Sequence, residues 1–347
     1  MTGNDEFAEF HDELRSVAGD LLAKDREAVW PVLVDAGWVG MEIAEDLGGA
    51  GATFTETAVL LDQIGRAAGT TGYLGGAVLP VGLLNALQPG ETRDELLRAA
   101  AAETHRLAVA IGDFTVDAGR LTGRAEFVPD AAGADRVLVP TTAGVVVAPT
   151  AELTVQAQPV VDETRRLATV TADGAVPDAV LSFAGGHDAA VSAVLDRAAV
   201  AIACDSLGLA EQMLSTTVAY LKVRHQFGRP IGSFQAVKHA CADMLVGIEV
   251  SRQLVADAVA AIAAGPENTD TAIPAAMAKS YTSSAAVAVA GKAMQLHGGI
   301  GYTWESGIHT YLKRATLNRS LFGSPAAHRK KLTQRYQRYQ MTPMKGK

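Results

Sequence analysis

The chain has 347 residues, 48% of them hydrophobic and 20% charged, with a formal net charge of −8. That balance supplies a large core and excludes wholesale disorder, and the length suits two or three packed units. The acidic sign argues against nucleic acid or an anionic membrane as a partner.

The first hundred or so residues, 1–105, read as helical. Phe7, Phe10, Leu14, Val17, Leu21 and Leu22 recur at three- and four-residue spacing. The polar, acidic start (Asp5, Glu6, Glu9, Asp12, Glu13) does not fit a signal peptide. Gly48-Gly49-Ala50-Gly51 breaks one helix, and Thr53 or Thr55 caps the next with Glu56 in its first turn. Gly72, Gly75 and Gly76 make no phosphate-loop pattern.

Over 106–185 the texture changes to short β-branched runs, Leu107–Ile111, Arg136–Val139, Val145–Ala148 and Leu167–Val170, punctuated by Gly, Pro, Asp and Thr. This predicts a small β domain. Helical periodicity returns over 186–347. Leu195, Ile202, Leu209, Met213, Leu214 and Leu221 mark one long helix. Val237, Cys241, Met244, Leu245, Ile248 and Val255 mark a second. Residues 264–268 form a turn, and Ile273, Met277, Tyr281, Val287 and Met294 mark a third helix ending at Gly298-Gly299. Long helices with short connections predict an antiparallel bundle. The expected class is α+β, mostly α. Cys204 and Cys241, each in an apolar helical pattern, exclude a disulfide framework and suit a reducing cytoplasm. No apolar run is long enough to span a bilayer. Arg329-Lys330-Lys331 reads as a solvated helix end.

Two segments carry candidate chemistry. In Arg224-His225-Gln226-Phe227-Gly228-Arg229-Pro230, a guanidinium at the end of a long helix can pair with a pyrophosphate. Phe227 offers a flat apolar surface, and Gln235 a neutral amide. A plain helix stop made by Arg, Gly and Pro accounts for the same residues. In Gln295-Leu296-His297-Gly298-Gly299, the two glycines let a ligand approach the backbone closely, although a double glycine also simply ends helices. No pair of the eight histidines has convincing metal-ligand spacing with a second pair. Ser324 and Thr303 lack a base and an orienting acid. Tyr302, Trp304 and Glu305 read as turn packing, with Tyr302 a candidate pocket wall.

With Gly48–Gly51 near the start, and with matching type, order and spacing in these two segments, the chain resembles the acyl-CoA dehydrogenases. The resemblance is strong in the first hundred residues and the last hundred and thirty, and poor between. It implies an N-terminal helical domain, a middle β domain and a C-terminal four-helix bundle. It implies FAD-dependent α,β-dehydrogenation of an acyl-CoA thioester, with an electron-transfer acceptor protein. It also implies that Arg224, Gln226, Phe227, Gln235, Gln295, Gly298 and Gly299 grip the adenosine and pyrophosphate of a neighbouring subunit's FAD.

The departures are as informative. The family's usual glutamate base falls on Phe322, and a phenyl ring accepts no proton. The alternative base position, on the helix leading to Arg224, falls on Ala198. The family's Thr-Glu-Pro and Gly-Ser-Asp stretch is missing from Leu107–Asp113. Its aromatic-Ile-Thr/Ser stretch is replaced by Phe127-Val128-Pro129-Asp130, where proline has neither a hydroxyl nor an amide hydrogen. The combination resembles the non-catalytic subunit of actinobacterial α2β2 acyl-CoA dehydrogenases of sterol and side-chain breakdown. Such a subunit completes the FAD site of a homologous catalytic partner, and losing one site of each pair leaves room for a bulky steroid acyl group. Two alternatives stay open. One is a self-sufficient homo-oligomer with a relocated base, Asp196 or Glu305. The other is a flavin-free scaffold or binding protein.

Overall fold

The computed structural model describes residues 3–341 apart from 25, 103, 266, 267 and 269, with side chains from 10 to 334. The side chain of Phe7 and the turn residues Pro266 and Glu267 therefore lie outside the described residues. The architecture is mostly helical, with a β region between two helical parts. No helix among the described residues is long and apolar enough to cross a membrane.

The N-terminal part holds α1 (Gly3–Lys24), α2 (Trp30–Asp35), α3 (Phe54–Ala67), α4 (Leu79–Asn85) and α5 (Glu91–Ala101), with a π-helical turn over Leu74–Val78. Of the two candidate caps for α3, Thr53 takes the role. Its hydroxyl accepts from the Thr55 amide, and Glu56 reaches back to the Thr53 amide at 2.8 Å, closing a capping box. Gly75 and Gly76 serve packing. A Cβ at Gly75 would lie 2.4 Å from the Pro129 carbonyl, and one at Gly76 would lie 2.5 Å from the Trp30 ring.

Eight strands follow: β1 (Leu107–Val109), β2 (Asp113–Asp117), β3 (Arg120–Pro129), β4 (Arg136–Thr141), β5 (Gly144–Pro149), β6 (Thr154–Gln158), β7 (Leu167–Ala175) and β8 (Ala179–Leu181). They make two four-stranded sheets, ordered β1-β4-β5-β8 and β2-β3-β7-β6. Only β1–β4 is parallel among these pairs. Phe114, Leu121, Val128, Val137, Val139, Val146 and Val170 fill a core of their own. The β3–β7 register shifts between Ala125 and Val128, and the bulge leaves Phe127 at φ 55° and largely exposed.

The C-terminal part begins with α6 (His187–Val223). A two-residue hairpin, β9 (His225–Gln226) and β10 (Arg229–Pro230), leads into α7 (Gln235–Ala263). Then come α8 (Ala272–His297), α9 (Ile308–Ser320) and α10 (Pro325–Met341). α6 runs through the main core, and its alanine-rich middle lets α3 come close. A Cβ on Gly65 would sit 2.0 Å from the Asp205 carbonyl, and one on Gly208 would sit 2.0 Å from the Asp62 carbonyl. Backbone cannot move aside as a side-chain tip can. Gly208→Ala is therefore expected to cost about 1–3 kcal/mol through overpacking, checked by denaturant unfolding, whereas Gly119→Ala, in open space, tests the cost of positive φ alone.

The bundle departs from its sequence pattern on one face. Leu245 of α7 and Ile273, Met277 and Tyr281 of α8 carry the right helical spacing for a core but are exposed, at 47%, 38%, 42% and 39%. Val246 and Val250 are exposed beside them. An apolar period identifies a buried stripe without saying which chain buries it. Between these helices runs a groove of about 510 Å³ floored by Met244, Gly247, Ala285 and Val289. Cys204 is buried, but Cys241 is only half-buried on this face. Arg329, Lys330 and Lys331 are exposed within the body of α10 rather than at its end.

Candidate functional site

The Arg224 segment is more than a helix stop. Arg224 is the C-cap of α6, its amide bonded to the Tyr220 carbonyl. The chain then turns through a tight hairpin in which Arg229 pairs with Gln226 and Pro230 with His225. Phe227 and Gly228 make the two-residue turn at φ 53° and 77°. A hairpin of this kind needs positive φ at both central residues. Glycine takes that freely. Phenylalanine does not, and it ends with its ring 90% exposed at the hairpin tip. Phe234 packs edge-on to it at 6.1 Å, and Arg229 lies over Phe234 at 4.1 Å. Gln226, Arg224 and Gln235 are all exposed.

The second segment lies at the far end of α8. Gln295 is exposed and accepts from Lys292 Nζ at 3.1 Å. Gly298 is the C-cap at φ 62°, and an added Cβ on Gly298 or Gly299 would meet nothing within 4 Å. The backbone there is open to a ligand. What joins the two segments is a pair of residues to which the sequence assigned no role, Tyr220 and His297, the second lying within the Gln295–Gly299 segment itself. The Tyr220 ring stacks on His297 at 4.4 Å and 20°, and its hydroxyl lies 3.5 Å from the His297 carbonyl. Both sit beside the motifs, Tyr220 one turn before Arg224 and His297 just before Gly298. Their adjacency was the available signal. One stacked pair therefore holds the ends of α6 and α8 together, with a guanidinium, an aromatic ring, amides and open glycine backbone on the outer surface.

The ring-side region is arranged differently. Pro129 ends β3 and packs its carbonyl on the Gly75 turn. Asp130, at φ 57°, accepts from the Gly75 amide at 3.1 Å. This stretch ties the β region to the N-terminal helices. The Phe127 amide is used by Gln158 Oε1 at 2.6 Å. Along 127–130 the Phe127 and Asp130 amides are both occupied, the latter by the Arg166 carbonyl at 2.9 Å, and Pro129 has none. The hairpin and the Gln295–Gly299 turn thus offer a guanidinium, amides and open backbone to a polar or anionic ligand, and the 127–130 stretch offers no hydroxyl.

Phe322 follows α9, at φ 55° and half-buried against the main core. The candidate replacement bases lie elsewhere. Asp196 is buried in α6 and accepts from Thr271 at the start of α8, at 3.2 Å. Glu305 is exposed in a short helical turn over Trp304–Ser306. Tyr302 and Trp304 sit in short helical turns, as the sequence expects of turn residues, and are 72% and 73% exposed. Trp304 rests on His309 at 4.4 Å and beside Lys313 at 5.1 Å.

Beneath α9 lies a buried ionic cluster that no local pattern announces. Arg314, 1% exposed, forks onto Asp205 at 3.0 and 2.5 Å and also reaches the Gly69 carbonyl and Thr164. Arg165 and Asn318 complete the shell of Asp205 at 3.1 and 2.7 Å. Burial alone would raise the Asp205 carboxyl, but attraction to Arg314 and Arg165 outweighs it and holds the group at about 2. The cluster joins α6, α9, the β6–β7 loop and the turn after α3.

Comparison with known proteins follows the same division of the chain. The family model described as acyl-CoA dehydrogenase, C-terminal domain, matches residues 184–337, and the N-terminal domain model matches 4–103. The acyl-CoA dehydrogenase IpdE2 of Mycolicibacterium smegmatis is 34% identical over 305 residues, 88% of this chain and 86% of that protein. Among solved structures, the Tcur3481-Tcur3483 steroid ACAD is 26% identical with a TM-score of 0.85, over 96% of this chain and 99% of that one. The ChsE4-ChsE5 complex from Mycobacterium tuberculosis superposes with a TM-score of 0.86 at 24% identity, over 96% and 98%.

Proposed function

Because the chain belongs to the acyl-CoA dehydrogenase family, whose fold binds FAD, we propose that it is the supporting subunit of a two-chain acyl-CoA dehydrogenase. It supplies the adenosine-end half of a homologous partner's FAD site and carries no base of its own. The observation that carries this reading is the asymmetry of the site. The Arg224 hairpin and the Gln295–Gly299 turn present polar groups and open backbone outward, while residues 128–130 are spent on packing and the Phe127 amide on Gln158. Phe322 at the base position agrees with it. The exposed apolar faces of α7 and α8 suit a chain that is covered by other subunits.

In this assembly Arg224 would hold the pyrophosphate, Phe227 would offer its ring to the adenosine, and Gln226, Gln235 and Gln295 would offer amides. Gly298 and Gly299 let backbone N–H groups approach. FAD, when bound, would supply the acceptor for a hydride from the substrate β-carbon, a carboxylate of the partner would take the α-proton, and an electron-transfer protein would take the two electrons onward from the cofactor. We assign a steroid-derived acyl-CoA as substrate, on the strength of the steroid ACAD to which the chain is 26% identical.

The test is a pair of preparations. The chain is expressed alone and together with a homologous subunit that carries the glutamate and the ring-side motifs. Flavin absorbance and oxidation of steroid-CoA and butyryl-CoA are recorded for each. The expected result is flavin and turnover only in the pair, with steroid-CoA preferred. Full flavin and turnover from the lone chain would establish the self-sufficient reading, and no flavin in either preparation would establish the scaffold.

A further inference from the structure

Position 322 is held by more than its own backbone. Phe322 and Gly323 sit consecutively at φ 55° and 102°. A bulky residue resists the left-handed region and keeps it only where the surroundings over-determine it. Two side chains from other helices act here. Lys279 on α8 has no exposed surface, and its Nζ donates to the carbonyls of Asn318 at 2.9 Å, Gly323 at 2.9 Å and Arg319 at 3.4 Å. Asn318 and Arg319 stand in the last turn of α9, where carbonyls lack helical partners and a cation is favoured. Three acceptors match the three N–H groups of an ammonium. His328 on α10, 2% exposed, donates Nε2–H to the Phe322 carbonyl at 3.0 Å. A Cβ on Gly323 would meet His328 Nε2 at 2.9 Å, so the clamp also requires glycine there.

We infer that Lys279 and His328 are positioning residues that clamp the Leu321–Gly323 turn, so that neighbouring helices, rather than the turn's own sequence, seat the side chain at 322 against the bundle core. The clamp depends on charge. A neutral amine has two N–H groups and a lone pair for three carbonyls, so one acceptor loses its donor. Burial pulls Lys279 down to about 8. Each helix packed against α8 carries ionisable or polar groups, of which His328 is the one that feels Lys279 directly. His328 of α10 is lowered by burial and by Lys279 and Lys331. Asn318 of α9 links to Asp205 of α6 and to Arg165. Asp196 of α6 meets Thr271 at the start of α8, and Asp243 of α7 lines the groove with Lys292 and Arg329.

The sign for the whole fold is opposite to that for the turn. The unfolded lysine keeps its proton up to its ordinary 10.5, so losing it at about 8 in the folded chain favours folding between those values. Loosening of the turn is thus separable from general alkaline unfolding.

The test is amide exchange at residues 321–323 in the full-length chain, corrected for the intrinsic chemical rate, at pH 7 and pH 9.5. Wild-type protection is expected to fall by roughly tenfold or more across that interval. Lys279→Met is expected to show the loss already at pH 7 and a flat profile, and His328→Gln, which keeps an amide donor, should stay near wild type. Lys279→Met as protected as wild type at pH 7 overturns the clamp. Where Lys279→Met does not fold, Lys279→Gln, with two N–H groups for three carbonyls, is expected to lose part of the protection at pH 7, and full protection there overturns the clamp equally. The measurement needs no flavin and no partner, so its outcome is independent of the two-subunit reading.

Discussion

Replacing Arg314 with methionine is expected to lower the unfolding free energy by about 3–5 kcal/mol, since it strips the main partner from a buried carboxylate. Methionine keeps much of the stem volume, so the loss reports on the charge rather than on a cavity. Arg165 and Asn318 remain on Asp205 and hold the cost to the lower part of that range. The pH dependence fixes the cause. With Asp205 held at about 2 in the folded chain, its contribution is fully present above the ordinary value of 3.8 and is lost as pH falls through 2. The gap between wild type and Arg314→Met should therefore be widest near neutrality and shrink below about pH 4. Urea titrations at pH 7, 5 and 3 measure it. A loss under about 1 kcal/mol at pH 7 would mean the cluster does not tie the helices to the β region.

The second large effect concerns ligand rather than stability. In the two-chain complex, Arg224→Ala should weaken FAD retention by roughly 30- to 100-fold, the equivalent of losing paired charge-assisted hydrogen bonds worth about 2–3 kcal/mol. Arg224→Lys should recover part of this, because a point charge remains but the planar fork does not. The side chain is exposed, so the unfolding midpoint of the lone chain should hardly move. Flavin titration of the deflavinated complex reads the first quantity, and a thermal melt the second. Unchanged retention in Arg224→Ala would remove the adenosine-end role from this hairpin.

Local chemistry made several elements legible without coordinates. Thr53 with Glu56 three residues on is a capping box by composition, and it forms. The β-branched runs at Arg136–Val139 and Val145–Ala148 lie within paired strands of one sheet. β2, β3, β6 and β8 were less visible, since their polar, half-exposed alternation is hard to tell from loop without pairing. The Arg224 segment read equally well as a helix stop. Its hairpin depends on Phe227 accepting positive φ, which propensity argues against and pairing enforces.

By itself the sequence determined the division into a helical start, a β middle and a helical end, which residues have chemistry to offer at 224–235 and 295–299, and that no carboxylate stands at 322. These are local properties of neighbouring side chains. Only the tertiary structure decided that Tyr220 and His297, about eighty residues apart, stack to bring those segments together. It also decided that Asp205 and Arg314 are buried as one ionic unit and that Lys279 caps a helix other than its own. The apolar stripes of α7 and α8 show the limit most plainly. Periodicity puts Leu245 on the apolar stripe of α7, and Met277 and Tyr281 on that of α8, but whether those stripes meet their own chain or another depends on how distant helices pack, which a local pattern does not encode.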